Sequence, residues 1–215
     1  MQDVECGHAH REKVVTITTD QPTEAIDGGH AQMREALRRA ASALKAGQVP
    51  FALVGSYALW VFGAPEGSHD ADFAVPEGSV EDAVSSLADA GFEIERPPED
   101  WLFKAHHGSA MVDVLHRLVG VPVEPALLDR AEEHDVLGLR LPVLPPTEVV
   151  ISQMLVMTEH YCDFGALLPG VRAVRERLDW DRVRTETRDQ PFAAAFLYLL
   201  ERLGIAPAEG VAGGA

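Results

Sequence analysis

The sequence has few cysteines and no long hydrophobic run. Its 215 residues include two cysteines, Cys6 and Cys162, so a disulfide-stabilised fold is not indicated and a reducing compartment is expected. No segment approaches the roughly 20 consecutive apolar residues that a membrane helix needs, and the N-terminus lacks the apolar region of a signal peptide. We therefore expect a cytoplasmic protein without a membrane partner.

Positive charge is also scarce. Eighteen lysines and arginines face 34 aspartates and glutamates, which gives a formal net charge of −16. A general nucleic-acid binder usually carries a basic surface, so this balance disfavours that class, although it leaves room for a local basic face. Hydrophobic residues make up 47% of the chain, as in an ordinary globular protein of one substantial or two small domains.

The hydrophobic pattern predicts an α+β fold built on one mixed sheet with flanking helices. Apolar residues recur every three or four positions from His30 to Lys45, which predicts a helix. Further helices are predicted at 57–63 and 77–92, and strands at 49–56, 70–76, 92–97, 100–107 and 109–117. Helices are then predicted over 124–136, 145–165, 170–178 and 190–204, with an extended piece at 137–145.

This order suggests four parts of the chain. We expect a polar N-terminal arm, a mixed-sheet core, a C-terminal helical lobe and a disordered tail, at 1–27, 28–125, 126–206 and 207–215.

Three aspartates in or beside predicted strands form a candidate metal site. Side chains alternate along a strand, so Asp70 and Asp72 point to the same face. Asp113 lies between apolar residues in another predicted strand, and the three carboxylates converge if the strands are neighbours. Clustered carboxylates repel each other unless cations lie among them, and hard oxygen ligands suit Mg²⁺ or Mn²⁺. The alternative is that these aspartates are solvated residues at a strand start.

Gly55 and Ser56 form a candidate phosphate site, because they end a buried strand and begin a short helix. Glycine lets a phosphate approach the backbone, and the first N–H groups of a helix can bind it. The Ser56 hydroxyl can add a hydrogen bond or cap the helix. The strand–Gly–Ser–helix pattern therefore predicts a triphosphate-binding site beside the metal site. Two cations at such a metal site can assist phosphoryl or nucleotidyl transfer.

These motifs resemble those of the nucleotidyltransferase superfamily, which has the DNA polymerase β-like fold. The resemblance covers roughly residues 45–200 and is greatest to the bacterial minimal and toxin-type branch, including uncharacterised actinobacterial members. The matching positions are Gly55, Ser56, Ala58, Leu59, Gly63, Ser68, Asp70 and Asp72. Glu66 stands where this branch carries an arginine, and Gln153 where many relatives carry a lysine.

The resemblance implies a metal-dependent transfer of a nucleoside monophosphate from an NTP to an acceptor hydroxyl. Asp70, Asp72 and Asp113 would be the catalytic and metal-binding residues, with Mg²⁺ or Mn²⁺ as cofactor. The implied nucleotide-binding positions are Gly55, Ser56, Ser68, Lys104 and Gln153. Lys104 is included as a substitute for the missing lysine, and the changes at Glu66 and Gln153 imply that activity can be impaired.

The acceptor stays open at this stage. The motif resemblance favours the 3′ end of tRNA, as in a toxin with an antitoxin protein as partner. The acidic balance favours a small molecule such as an aminoglycoside or a lincosamide. A third reading is a nucleotide-binding module with a weakened catalytic site. The arginine-rich stretch at 171–189 is interspersed with acids, which predicts a salt-bridged helical surface, with RNA binding as the alternative.

Overall fold

The computed structural model describes residues 23–67 and 70–208. The helices are α1 Thr23–Ala46, α2 Gly55–Val61, α3 Val80–Asp89, α4 Pro125–Leu128, α5 Pro146–Leu155, α6 Phe164–Val174, α7 Trp180–Thr187 and α8 Pro191–Arg202. The strands are β1 Ala52–Val54, β2 Ala71–Ala74, β3 Glu93–Glu95, β4 Leu102–His107, β5 Ala110–Leu115, β6 Arg117–Leu118, β7 Val121–Pro122, β8 Glu132–Val136 and β9 Leu139–Val143. No helix within the described ranges has the length and apolar character needed to cross a membrane.

Seven strands form one mixed sheet, in the order β3-β4-β5-β2-β1-β9-β8. The central strand β2 is antiparallel to β1 and parallel to β5, and β1 is parallel to β9. The outer pairs are antiparallel, and β6 with β7 forms a separate small hairpin. The predicted mixed sheet with flanking helices is therefore confirmed.

Helix α1 packs along the sheet through the apolar face that its sequence predicts. Met33, Leu37, Ala40, Ala41 and Leu44 are all buried. Full burial of a leucine side chain contributes about 1.5–3 kcal/mol to folding, so this face anchors the helix. The helix begins at Thr23, earlier than the predicted start at residue 30.

Helix α5 connects the sheet region to the C-terminal helices. It contacts α2, α7 and α8. The Thr147 hydroxyl accepts a hydrogen bond of 3.0 Å from the backbone N–H of Asp179. Asp179 in turn caps α7, because its side chain accepts from the backbone N–H of Arg182 at 3.0 Å. These contacts fix the position of α5 relative to α7.

The predicted helix over 124–136 is wrong beyond residue 128. Residues 132–136 form β8 instead, and this strand pairs with β9 in a hairpin. Leu137 and Gly138 at the hairpin turn both have positive φ, 51° and 78°, which is the backbone of a two-residue turn between twisted strands. The charged residues of β8 resemble a solvated helix in composition, which explains the error. The sheet therefore continues beyond residue 125, and the division into core and helical lobe stays a prediction.

The predicted helix over 145–165 is also too long. Helix α5 ends at Leu155, and Thr158 and Tyr161 then exchange two backbone hydrogen bonds of 2.9 and 3.1 Å in a tight loop. Helix α6 starts anew at Phe164, because the Asp163 side chain accepts from the Ala166 backbone N–H and caps it. Residues 1–22 of the predicted arm and 209–215 of the predicted tail lie outside the described residues.

Candidate metal and nucleotide site

Three aspartates meet at the centre of the sheet. Asp70 directly precedes β2, Asp72 lies within it, and Asp113 lies in β5. The parallel pairing of β2 with β5 places Asp72 opposite Asp113. One carboxylate oxygen from each of the three lies within 4.8 Å of the others, as in a group that can hold a metal ion. The structure therefore brings together the aspartates that the sequence pattern grouped, and their role stays a prediction.

The electrostatics of this acidic triad, Asp70, Asp72 and Asp113, favour a bound cation. Burial raises the pKa of Asp72 well above its usual range, and the charges of Asp70 and Asp113 raise it further. Burial also raises the pKa of Asp113, which is 8% exposed, while Lys104 lowers it. Three oxygen donors that repel each other fit a hard divalent cation such as Mg²⁺, because the ion replaces that repulsion with attraction.

Gly55 brings the start of α2 directly against this triad. Its φ is +65°, in the left-handed region that favours glycine. A Cβ atom at Gly55 would lie 1.9 Å from Asp72 Oδ2 and 2.7 Å from Asp72 Cγ. A side chain at this position would thus displace the Asp72 carboxylate. The glycine is required by the close approach of backbone and carboxylate.

Ser56 follows in the first turn of α2 but does not cap the helix through its side chain. The capping position is Val54, and no side-chain cap bond is present there, so the capping alternative for Ser56 is wrong. The loop before β2 packs against Ser56, since a Cβ atom at Gly67 would lie 2.2 Å from Ser56 Oγ. Ser68 lies outside the described residues, because residues 68 and 69 are not described.

Lys104 lies beside the acidic triad on β4. The β4–β5 register pairs it directly with Asp113. Its Nζ atom lies 3.1 Å from Oδ1 and 3.2 Å from Oδ2 of that aspartate. The ammonium therefore binds an acidic residue of the triad, and its predicted contact with the nucleotide stays a prediction.

A family model described as an uncharacterised nucleotidyltransferase matches residues 18–211. The chain belongs to this nucleotidyltransferase family. A search of the curated proteins gave no match.

Solved structures show the same fold for this family member. The solution structure of the antibiotic-resistance factor ANT(2″)-Ia is 14% identical with a TM-score of 0.54, over 82% of this chain and 96% of that one. A crystal structure of ANT(2″)-Ia with adenylyl-2″-tobramycin is 13% identical with a TM-score of 0.55, over 77% and 97%. An antigenic nucleotidyltransferase-like protein from Paracoccidioides brasiliensis is 10% identical with a TM-score of 0.51, over 81% and 89%. At these identities the likeness shows the fold alone.

Glu66 has partners in this protein that the sequence pattern did not single out. Arg34 on α1 donates from Nε to Glu66 Oε1 at 2.8 Å, and His30 Nδ1 lies 3.5 Å from the same oxygen. The Tyr57 hydroxyl donates to Glu66 at 3.4 Å. The hydrogen bond from Arg34 lowers the pKa of Glu66. The Glu66 carboxylate is thus paired with a cation. The sequence carried one weak signal of this pairing, which is that Arg34 lies off the apolar face of α1.

Gln153 lies on α5, the helix that packs against α2. Its Oε1 atom is buried and has no hydrogen-bond partner among the described residues. A buried amide oxygen without a partner is costly, and such a group commonly meets a ligand or a water molecule. Its predicted contact with the nucleotide stays a prediction.

The arginine-rich stretch forms the salt-bridged surface that its charge pattern predicts. Arg182 and Arg184 bind acids on other helices as well as on their own. Arg175 and Arg188 each pair with the neighbouring acid in sequence. Four of the six arginines between 172 and 188 therefore have acidic partners, which reduces the positive charge available to a phosphate backbone.

Proposed function

We propose that the protein transfers a nucleoside monophosphate from an NTP to an acceptor hydroxyl and requires a divalent cation. The observation that carries this proposal is the convergence of Asp70, Asp72 and Asp113 at the start of α2. In the reaction, the acceptor oxygen forms a bond to the α-phosphorus while the bond to the bridging α–β oxygen breaks. The hydroxyl proton passes to a base, and pyrophosphate leaves.

Asp70 and Asp72 would hold Mg²⁺ or Mn²⁺ beside Asp113. When bound, the cation neutralises phosphate charge and orients the triphosphate. Gly55 gives the phosphates access to the backbone at the start of α2, and the Ser56 hydroxyl is available to donate a hydrogen bond. By the resemblance, Asp113 would accept the proton of the acceptor hydroxyl.

Two properties of the surface support a small-molecule acceptor. The net charge is −16, and most arginines of the C-terminal helices are paired with acids. A tRNA acceptor needs a basic face along its phosphate backbone. The structure of ANT(2″)-Ia with adenylyl-2″-tobramycin shows that this fold can accommodate an adenylylated small molecule. Transfer to tRNA, and an antitoxin partner, stay predictions from the resemblance alone.

The second candidate is a nucleotide-binding module with weakened catalysis. Gln153 favours it, because a neutral amide provides no positive charge to a triphosphate. The proposal includes an EC 2.7.7-type activity, impaired or not. Whether this activity is present decides between the enzyme and the binding module.

The test is incubation with each α-³²P-labelled NTP and Mg²⁺, with bulk tRNA and a panel of aminoglycosides and lincosamides as acceptors. We expect label on a small molecule with the wild type and none with the Asp70→Ala/Asp72→Ala protein. Label on tRNA would identify tRNA, and not a small molecule, as the acceptor. Absence of label, with Mg²⁺-dependent NTP binding intact, would contradict the proposed nucleotidyl transfer and support the nucleotide-binding module.

A further inference from the structure

Lys104 is the one lysine of the described chain that contacts the acidic triad. Only three lysines occur in the sequence, Lys13, Lys45 and Lys104. Lys104 is fixed by the antiparallel β4–β5 pairing, which places it across from Asp113 in the interior of the sheet. Its Nζ also lies 3.5 Å from Met111 Sδ, and its side chain is 25% exposed. The ammonium is therefore held in place by the strand and its neighbours.

The Lys104 ammonium contacts both carboxylate oxygens of Asp113. Its Nζ atom is nearly equidistant from the two carboxylate oxygens, at 3.1 and 3.2 Å. Both oxygens thus face the same positive charge, as they would face a metal ion bound in bidentate fashion. A divalent cation at this point would meet the ammonium at close range, and like charges repel strongly in a partly buried site.

The remaining two aspartates differ from Asp113. Asp70 directly precedes β2 and Asp72 lies within it, whereas Lys104 reaches both carboxylate oxygens of Asp113 from β4. The triad carries three negative charges when ionised. One divalent cation between Asp70 and Asp72 and one ammonium on Asp113 balance that charge, whereas two divalent cations and the ammonium exceed it.

We propose that Lys104 takes the place of a second divalent cation, so that the triad binds one metal ion through Asp70 and Asp72 while Lys104 holds Asp113. This inference rests on the proposed function, since it concerns the same metal site. Lys104 is a positioning residue, because it acts through Asp113. It fixes the orientation of that carboxylate in a site that has room for a single metal ion.

The test counts bound Mn²⁺ by electron paramagnetic resonance, in a titration of the purified full chain with Mn²⁺ alone. We expect one Mn²⁺ per chain for the wild type and two for Lys104→Met, in which Asp113 is free to bind an ion. Lys104→Arg keeps the positive charge and is expected to bind one. The matched control is Lys45→Met, which removes a lysine that donates to the backbone oxygen of Arg140 away from the triad and is expected to bind one.

A second variant keeps the test decisive if Lys104→Met does not fold, which circular dichroism would reveal. Asp113→Asn is expected to retain one Mn²⁺, because Asp70 and Asp72 hold it. Two Mn²⁺ in the wild type, one in folded Lys104→Met, or none in Asp113→Asn would each overturn the inference and leave the proposed metal site intact. No Mn²⁺ in the wild type would overturn the inference and the metal dependence together.

Discussion

Two partly buried carboxylates in this protein, Glu148 and Asp72, have opposite surroundings. Glu148 on α5 is 9% exposed and accepts two hydrogen bonds of 2.9 Å from the Arg182 guanidinium, with Arg130 at 3.3 Å. The bond from Arg182 lowers the pKa of Glu148 below its usual range. Asp72 is instead faced by two further carboxylates, and its pKa is raised well above the usual range. The charged form of a carboxylate is thus stabilised at Glu148 and destabilised at Asp72.

The difference separates a structural group from a candidate functional one. A carboxylate with a bidentate arginine, such as Glu148, already has its counter-charge and links α5 to α7, so it has little to gain from a ligand. A carboxylate beside two others, such as Asp72, lacks that charge, and a cation would stabilise it. Strongly perturbed groups of this second kind concentrate at functional sites, because binding or catalysis uses the free energy that the fold leaves uncompensated.

The largest effect is expected from Asp72→Asn. Loss of a metal ligand should lower nucleotidyl transfer by at least about 100-fold, since even outer-shell partners of a metal are worth 10–100-fold. The metal-free protein should become more stable, by on the order of 1 kcal/mol, because the substitution removes a charge that burial and its neighbours disfavour. Urea unfolding with and without Mn²⁺ measures both the stability and its dependence on metal.

The control for this variant is Glu148→Gln, which removes a carboxylate that already has cationic partners. It should keep the response to Mn²⁺. If Asp72→Asn lowers metal-free stability and leaves Mn²⁺ stabilisation unchanged, the contrast between the two carboxylates does not reflect a metal site.

A smaller effect is expected from Gly55→Ala. The added methyl group would clash with the Asp72 carboxylate, which must move away from the triad. We expect Mn²⁺ affinity to fall about tenfold, which corresponds to roughly 1.4 kcal/mol of lost metal binding. Left-handed strain should lower stability by a further 1–2 kcal/mol or so. Mn²⁺ titration and urea unfolding measure the two parts separately.

Gly204→Ala is the matched control, because Gly204 has the same φ of +65° and nothing within 4 Å of the added Cβ. It should lose stability through strain alone and leave Mn²⁺ affinity unchanged. Equal Mn²⁺ affinity in the two variants would show that the close approach of Gly55 to Asp72 has no bearing on metal binding.

The grouping of the three aspartates could be predicted from the sequence because each carries a local signal. Asp70 and Asp72 share a face through strand alternation, and Asp113 stands among apolar residues. The sequence could not show that β2 and β5 pair in parallel with Asp72 opposite Asp113, since register depends on contacts between distant segments. The recognition of the fold depended on the spacing from Gly55 to Asp72.

The partners of charged residues that are distant in sequence could not be predicted from the sequence. Arg34 and Glu66 are 32 positions apart, and no periodicity links them. Strand β8 was predicted as a helix because its acidic residues have the composition of a solvated helix, whereas pairing with β9 decides its conformation. Local patterns indicate faces and boundaries, while the tertiary fold determines which charges meet.

The smallest effect, confined to stability, is expected from Glu148→Gln, and its pH dependence has a defined sign. Because the folded protein holds the pKa of Glu148 below the ordinary value of 4.5, its contribution is complete above that pH and is lost as the pH falls through the folded-state pKa. We expect the variant to be about 2 kcal/mol less stable than the wild type at pH 7, as for a hydrogen bond to a charged group. The difference should shrink below pH 4.5 in urea unfolding measured across pH. A difference that stays constant down to pH 3 or so would mean that the Arg182 pair does not provide the stabilisation, because protonation of Glu148 should abolish it.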